Sequence, residues 1–196
     1  MTTGKKDMLK AYRKKRRFPE TPEPKGGKGK SKKRPVFVIQ QHDASSLHYD
    51  LRLDIGGVLV SWAVPKGPST NPKDRRLAMQ TENHPLEYAN FEGVIPRGHY
   101  GAGPVLVWDT GTYRNLTEKD GEQIPIAHGL ENGHIKFWLE GQKLKGGYAL
   151  TRTGNSEKWL LVKMKDDEAD ARRNPVKTEP ESVLSGRTLS EIAEEG

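Results

Sequence analysis

The sequence predicts a mainly β protein, a compact antiparallel β-barrel that follows a short helical or disordered basic N-terminal arm. Short runs rich in β-branched and aromatic residues recur from residue 35 onward. Glycine and proline, 21 and 13 residues, separate almost all of these runs. We find no long helical periodicity between residues 36 and 165, and closing many short strands into a barrel removes exposed sheet edges.

Eight segments carry the strand pattern. The residues at 54–57, Asp-Ile-Gly-Gly, predict a tight turn that joins the second and third strands into a hairpin. The tryptophans at 62, 108, 138 and 159 all fall inside these segments, and we expect them in the core. The predicted strands are residues 36–40, 48–53, 58–64, 76–81, 105–109, 134–139, 147–153 and 159–165.

Charge is unevenly distributed along the 196 residues, which suffice for one domain with tails. Residues 1–35 hold 14 of the 33 Lys and Arg but 3 of the 26 Asp and Glu, so the rest of the chain is net acidic. We therefore divide the chain into a basic flexible arm at 1–34, a barrel at 35–165 and a tail or interdomain linker at 166–196. The arm, with a helical segment at 5–17, is either a solvated tail or a clamp for nucleic-acid phosphates.

Composition excludes several classes of protein. The chain has no cysteine, which rules out disulfides, thiolate nucleophiles and cysteine-ligated metals. The longest apolar run, residues 58–64, is far too short to span a bilayer. No apolar stretch follows the charged N-terminus, so it does not read as a secretory signal. We expect a cytoplasmic protein with no membrane partner.

One predicted strand presents a row of reactive side chains. Residues two apart in a strand share a face, so His48, Asp50 and Arg52 point one way and their apolar neighbours point into the core. A short loop at 43–46 would bring His42 beside His48. Two imidazoles and one carboxylate suit Mn²⁺, Zn²⁺ or Fe²⁺, and an adjacent arginine suits phosphate. The alternative interpretation is a half-exposed strand with an Asp50–Arg52 ion pair.

A second group of candidate residues lies further along the chain. His84 could be a third metal ligand, a phosphate donor or an acid, or a structural loop histidine. Tyr88 is typical of a packed aromatic. Lys66 and Arg76 flank the loop at 67–74 and could contact phosphates or simply face solvent. The glycine-rich run at 98–103 lacks the lysine and helix of a nucleotide loop, so it predicts a turn. We expect structural or surface positions for the histidines at 99, 128 and 134.

The residues at 37–53 resemble the phosphoesterase domain of bacterial DNA ligase D. The segments 61–68, 76–78, 84–96 and 100–103 share this resemblance, which spans roughly residues 12–165. It implies a β-barrel that uses Mn²⁺ to remove a 3′-terminal ribonucleoside and then the 3′-phosphate, leaving a 3′-hydroxyl, in non-homologous end joining. It also implies that the segment at 180–194 is the linker into a longer enzyme.

The resemblance assigns roles residue by residue. It makes His42, His48 and Asp50 metal ligands, and Arg52, His84 and Tyr88 the essential phosphate site. Arg17 stands where the family usually has aspartate. The remaining substrate-binding positions that it implies are Arg16, Glu23, Gln40, Ser61, Lys66 and Arg76.

The implied partners are 3′ ends of DNA or RNA–DNA primer–templates, polymerase and ligase modules of the same polypeptide, and a Ku-type end-binding protein. We expect a monomeric domain located at the nucleoid through DNA. Two other functions fit parts of the pattern. His48, Asp50 and a distant His84 could form the facial triad of a non-haem Fe(II) oxygenase. The arm could instead belong to a non-catalytic adaptor that binds DNA ends.

Overall fold

The fold was analysed in a computed structural model, which describes residues 7–27 and 29–196. Eleven strands and four α-helices follow one another in the described ranges. The strands β1 to β11 are Val36–Asp43, Leu47–Ile55, Val58–Val64, Arg76–His84, Gly93–Ile95, Gly103–Asn115, Glu118–Lys119, Glu122–Gln123, His134–Gly141, Lys145–Arg152 and Lys158–Lys163. The helices α1 to α4 are Lys10–Lys14, Ile126–Asn132, Pro175–Thr178 and Leu189–Glu194, and the 3₁₀ helices are Phe18–Glu20 and Leu86–Asn90. None of these helices is long and apolar enough to cross a membrane.

Eight of the strands form a closed antiparallel barrel, which confirms the predicted fold class. The neighbour order is β1, β2, β3, β4, β11, β10, β9 and β6, and pairing of β6 with β1 closes the ring. The short strand β5 adds to β6, while β7 and β8 form a separate hairpin. All eight predicted strands are barrel strands. The structure lengthens most of them by a few residues, because backbone pairing continues past the apolar runs that mark them in the sequence.

The predicted hairpin between β2 and β3 is confirmed. Ile55 pairs with Val58, so a two-residue turn joins the strands. Gly56 and Gly57 both have positive φ, 66° and 86°. Positive φ at both central residues is the geometry that matches the twist of paired strands, and glycine adopts it without a Cβ clash.

The barrel wall is buried on both sides over part of its circumference. Its interior holds a large apolar cluster that includes Leu51, Trp62, Trp108 and Trp159. A second cluster lies outside the wall, where Val38 and other outward-facing residues pack under Tyr12, Tyr88 and Phe91. Strands that are buried on both faces read as continuous apolar runs rather than as strict alternation. The outer cluster supports the segments that surround the candidate site.

Trp138 corrects the expectation that all four tryptophans are core residues. Its neighbours at 135, 137 and 139 point into the interior, so the alternation of β9 places Trp138 outside. There its indole Nε1 donates to Glu140 and the Arg114 guanidinium lies 5.4 Å from its ring. Helix α2 is likewise absent from the predicted elements, because seven residues are too few to show a helical period.

The described part of the N-terminal arm packs on the barrel, although the sequence predicts flexibility for residues 1–34. Tyr12 is fully buried and its hydroxyl donates to the Pro24 carbonyl at 2.5 Å. Arg16 and Glu23 have side chains only 4% and 1% exposed and form an ion pair at 2.9 Å. The residues that hold the arm on the barrel are few and are separated by prolines and lysines, so the composition of the segment does not predict the packing. Residues 5 and 6 of the expected helix lie outside the described residues.

The segment at 166–196, expected to be a tail or linker, also packs on the barrel. Ile192 of α4 is buried in the interior cluster. The Glu179 carbonyl accepts from Trp108 Nε1 and Lys143 Nζ, both at 2.8 Å. Thr188 caps α4 through a reciprocal capping box with Glu191. These contacts involve isolated residues, which give no periodic signal in the sequence.

We expect the Asp109→Ala substitution to lower the free energy of unfolding by at least about 2 kcal/mol. The buried Asp109 carboxylate accepts from the backbone N–H groups of Gln142, Lys143 and Leu144, and so fixes the connection between β9 and β10. Alanine leaves these donors without their acceptor. Urea denaturation would measure the change, with Glu122→Ala at an exposed position as the control. A loss no larger than that of the control would contradict this role.

Candidate active site

The β1–β2 hairpin brings the candidate metal ligands together on the outer face of the barrel. His48 and Asp50 lie two residues apart on β2, and their apolar neighbours Tyr49 and Leu51 face the interior. The strand register pairs His42 directly with His48, with imidazole centroids 4.9 Å apart. The predicted alternation of β2 and the predicted folding back of His42 are therefore confirmed.

His42, His48 and Asp50 form the one cluster of histidine and acidic residues, within the described ranges, suited to hold a metal ion. One ligand atom from each lies within 4.8 Å of the others. His42 Nε2 lies 2.6 Å from the Gly101 carbonyl and His48 Nδ1 lies 2.9 Å from the Ser46 carbonyl. A carbonyl can only accept, so these ring nitrogens carry the hydrogens. The lone pairs of His42 Nδ1 and His48 Nε2 then face Asp50, the arrangement usual for metal-binding histidines.

The electrostatics keep the cluster ready for a cation. Burial would raise the pKa of Asp50, but the Arg52 guanidinium and the two imidazoles hold that pKa well below its ordinary value. Burial would lower the pKa of His48, but its contact with Asp50, 3.4 Å from Nε2, raises it. The carboxylate is therefore ionised at neutral pH. Two imidazole nitrogens and one carboxylate fit a borderline divalent transition metal.

Arg52 is held rigidly beside the metal cluster. Its Nε donates to Gln40 Oε1 at 2.7 Å and its Nη2 donates to Asp50 Oδ2 at 3.3 Å. Gln40 is itself fixed, because its amide nitrogen donates to the Tyr88 and Phe91 carbonyls. This fork of donors is pre-oriented for a planar or tetrahedral oxyanion.

His84 lies between two arginines and is neutral. Its Nδ1 donates to the Glu82 carbonyl at 2.9 Å, which leaves Nε2 to accept from Arg16 Nη2 at 3.4 Å. Arg52 Nη1 lies 3.1 Å from the same Nδ1. Because His84 Nδ1 carries a hydrogen, it cannot accept from Arg52, and the Nη1 hydrogens of Arg52 stay available for another acceptor. Burial, reinforced by Arg52 and Arg16, holds the pKa of His84 well below its ordinary value. Both nitrogens therefore face groups other than the metal cluster.

The position of His84 argues against the alternative function as a non-haem Fe(II) oxygenase. That interpretation requires His84 as the third ligand beside His48 and Asp50, whereas the structure places His42 there. The sequence left the choice open because His84 precedes a proline on a distant strand, and its register is set only by the pairing of β3 with β4.

Tyr88 and Arg16 meet at a buried carboxylate. The Tyr88 hydroxyl donates to Glu23 Oε1 at 2.8 Å, the same oxygen that accepts from Arg16 Nε. Burial, with the nearby Glu23 charge, holds the pKa of Tyr88 well above its ordinary value, so the phenol stays protonated. The Arg52 guanidinium lies 4.9 Å from the Tyr88 ring centroid. Glu23 thus joins the N-terminal segment to the phosphate-site candidates.

A cavity of about 610 Å³ opens onto these groups. Its wall contains the three metal-ligand candidates together with Arg16, Arg52, His84 and Tyr88. Three of the expected substrate-binding residues, Glu23, Gln40 and Ser61, are buried and lie outside this wall. They contact the side chains of Arg16, Arg52 and His84, which do line it.

Lys66 and Arg76 are not brought to this cavity. They line a separate cavity of about 240 Å³ with Arg172 and Arg173, and Arg76 lies 3.5 Å from Asp74. Lys66 lies in the β3–β4 connection and Arg76 is the first residue of β4, at the end of that strand remote from His84. Arg17 is exposed and pairs with Glu20 at 3.4 Å. The sequence does not predict that these residues lie away from the main cavity, because the spacing of residues along the chain does not determine the path of a loop.

Three residues of the main cavity wall, Glu82, His99 and Tyr100, are not among the site residues that the sequence predicts. Glu82 accepts from Lys15 Nζ at 3.0 Å and Arg16 Nη1 at 3.3 Å, which fixes both cations. His99 lies 3.5 Å from Glu20, and Tyr100 is half exposed at the rim. The run at 98–103 is a turn, as predicted, but it lies against His42. Its proximity to His42 could not be read from composition.

Comparison with known proteins agrees with this site. The family model of the DNA ligase D 3′-phosphoesterase domain matches residues 40–152. A multifunctional non-homologous end joining protein LigD of Pseudomonas aeruginosa is 50% identical over 188 residues, covering 92% of this chain and 22% of that protein. A multifunctional non-homologous end joining DNA repair protein LigD of Mycobacterium tuberculosis is 46% identical over 161 residues, covering 82% of the chain and 20% of that protein.

The fold and the family match together identify a β-barrel phosphoesterase domain. The chain belongs to the family of DNA ligase D 3′-phosphoesterase domains. It spans about a fifth of the length of the curated relatives that it matches. The resemblance stated from the sequence is confirmed.

The neutral state of buried His84 predicts a pH dependence of stability. The unfolded chain takes up a proton at this residue below a pKa of about 6.5, whereas the folded protein does so only at lower pH. The contribution of His84 to the free energy of unfolding of the wild type therefore falls between pH 7 and pH 5, by up to about 1.4 kcal/mol per unit. His84→Gln should show a shallower decline in urea denaturation with a chelator present. Equal slopes would contradict the assignment.

Proposed function

We propose that this chain is an Mn²⁺-dependent 3′-end-processing phosphoesterase of double-strand break repair by non-homologous end joining. It would remove a 3′-terminal ribonucleoside and convert a 3′-phosphate to a 3′-hydroxyl. The observation that carries the proposal is one cavity in which the His42–His48–Asp50 cluster adjoins the guanidinium donors of Arg52 and Arg16. A divalent cation beside fixed cationic donors is the equipment that phosphoester hydrolysis needs.

The ligand atoms for the metal are His42 Nδ1, His48 Nε2 and a carboxylate oxygen of Asp50. When bound, the cation would act as a Lewis acid on the phosphate and lower the pKa of a coordinated water. The choice of Mn²⁺ rests on the family resemblance, and the donor set accommodates it. We assign the three residues the role of holding the ion in a fixed place beside Arg52.

The arginines would bind and polarise the phosphoryl group. Arg52 is held by Gln40 and Asp50, so its Nη1 hydrogens need no reorganisation to meet a phosphoryl oxygen. Arg16 is held from the other side by Glu23 and Glu82. Donors that are fixed before the reaction stabilise charge that develops in the transition state at little cost.

His84 and Tyr88 complete the phosphate site. A phosphate dianion placed between Arg16 and Arg52 would offset the cations that, together with burial, keep His84 neutral. His84 could then take up a proton and donate it to a phosphoryl oxygen or to the leaving 3′ oxygen. Tyr88 stays protonated and, with its hydroxyl on Glu23, holds Arg16 and Arg52 in register. The described aliphatic hydroxyl residues of the cavity wall, Ser45 and Thr81, make no hydrogen bond to a histidine that could activate them as nucleophiles, which favours direct attack by water.

The basic run of the arm is the proposed contact for the duplex beside the 3′ end. Lys30, Lys32 and Lys33 are exposed, while Ser31 between them donates to Asp54 at 2.7 Å and ties the run to the barrel. Exposed cations tethered in this way gain affinity by releasing counterions from the phosphate backbone. We further propose, from the relatives, that polymerase and ligase modules of the same polypeptide and a Ku-type protein act with it.

The activity is tested on primer–templates that end in a 3′-phosphate or in one 3′ ribonucleotide. With Mn²⁺ the wild type should yield a 3′-hydroxyl on a denaturing gel, and chelator or His42→Ala should abolish the reaction. Arg52→Ala should lower kcat/KM by the equivalent of about 2–4 kcal/mol, because a fixed transition-state donor is lost.

Arg114→Ala is the matched control, since this arginine lies over Trp138 and does not line the cavity. Near-normal turnover by Asp50→Ala would refute the metal assignment. Binding of the DNA without hydrolysis in Mn²⁺ would favour the adaptor function instead.

The arm is tested by the salt dependence of DNA binding. Replacing Lys30, Lys32 and Lys33 together by glutamine should flatten the log–log slope of affinity against salt by about 0.9 for each phosphate that the run neutralises. Fluorescence anisotropy on a labelled duplex would measure the slope. Lys119→Gln, an exposed lysine of β7, serves as the control. An unchanged slope would show that the run is only a solvated tail.

A further inference from the structure

A second cavity lies beside the candidate active site. It has a volume of about 410 Å³ and shares Thr81, Glu82 and Tyr100 with the main cavity. Its other polar lining residues are Lys15, Gln80 and Glu157. Because the two cavities have three residues in common, a molecule held at the phosphate donors of the first has direct access to the second.

The charges of the second cavity differ from those of the first. Two carboxylates, Glu82 and Glu157, line it against the single ammonium of Lys15, and that ammonium is already paired with Glu82 at 3.0 Å. A phosphate would be repelled by the exposed Glu157 carboxylate. A neutral group with hydrogen-bonding edges, such as a nucleoside, meets no such penalty.

Tyr100 offers a flat aromatic surface between the cavities. Its side chain is 48% exposed, although Lys15 Nζ lies 4.5 Å from its ring centroid and 3.4 Å from its hydroxyl. The hydrogen bond to Lys15 fixes the ring orientation. The Lys15 ammonium and the Arg16 guanidinium, 5.6 Å from the centroid, both lie over the ring, so a base would stack on the part of the ring that these cations leave exposed. Bases stack on such exposed rings whatever their sequence, because every base has a π-face.

Polar groups for the edge of a base or a ribose lie close to this ring. Gln80 Oε1 accepts from Trp159 Nε1 at 3.1 Å, which fixes the amide and leaves its nitrogen as a donor. Thr81, the next residue, lines both cavities and carries a hydroxyl. Together they add hydrogen-bonding capacity to the stacking surface.

Resting on the proposed function, we propose that the second cavity is a subsite for the 3′-terminal nucleoside. This is the nucleoside whose 3′ oxygen carries the scissile phosphate, and its base stacks on Tyr100. The phosphate would then lie at Arg16, Arg52 and His84, and the shared wall would place sugar and base toward Gln80. Tyr100 is in this scheme a positioning residue for the end that is processed.

Kinetics on two 3′-phosphate duplexes test the subsite. One duplex ends in a normal nucleotide and the other in an abasic sugar. The wild type should prefer the first by roughly tenfold in kcat/KM, the size expected for one base stack. In Tyr100→Ala the preference should collapse to about twofold or less, mainly through KM, whereas Tyr100→Phe retains the ring and should keep it. Trp138→Ala, a partly exposed aromatic away from both cavities, should leave the ratio unchanged.

A binding measurement provides a readout independent of turnover. A primer with 2-aminopurine at its 3′-hydroxyl end cannot be hydrolysed at a phosphate, and stacking on Tyr100 should quench its fluorescence. Tyr100→Ala should lose the quenching, Tyr100→Phe should keep it, and 2-aminopurine placed several nucleotides inward should report no change.

The outcomes separate this inference from the proposed function. If neither duplex is dephosphorylated, the proposed function fails. If both are dephosphorylated equally well by the wild type, or if Tyr100→Ala keeps both the preference and the quenching, the function stands and the nucleoside subsite is refuted.

Discussion

The buried Arg52 guanidinium is the group on which the whole site depends. Its charge keeps Asp50 ionised, its position depends on Gln40, and its field helps to keep His84 neutral. A buried cation is tolerated only where partners offset the loss of hydration. The wall of the barrel supplies these partners from β1 and β2, and the ring of Tyr88 covers the guanidinium at 4.9 Å. Metal ligands and phosphate donors are therefore arranged around one charge rather than assembled separately.

The N-terminal segment completes this arrangement from outside the barrel. Arg16 is tolerated in the site because Glu23 and Glu82 offset its charge. Its guanidinium also packs on the Tyr12 ring, 3.9 Å from the ring centroid. Glu23 also binds the Tyr88 hydroxyl. The segment thus contributes the Arg16 side chain to the cavity wall, while the exposed lysines that follow it face solvent. One stretch of basic sequence serves two physical purposes, and its composition does not distinguish them.

Periodicity carried most of what the sequence could predict. The alternation of β2 fixes Asp50 and Arg52 on one face, and a three-residue connection makes the pairing of His42 with His48 almost unavoidable. Contacts made by single residues were not predictable. Arg16 is buried partly by Glu82, a carboxylate far away in sequence. Tyr100 reaches the rim through a turn, and Lys66 lies on a loop that lines a different cavity. Such placements depend on loop paths, which no local pattern encodes.

Pairing of β6 with β1 leaves the barrel without a long free edge, and the short strand β5 covers part of β6. Within residues 7–27 and 29–196, the barrel therefore offers a partner no extended row of unpaired backbone groups to which it could add a strand. Neighbouring modules on a longer polypeptide would have to recognise this domain through its side chains. Such contacts can be altered one residue at a time without disturbing the wall, so docking and folding can change independently during evolution.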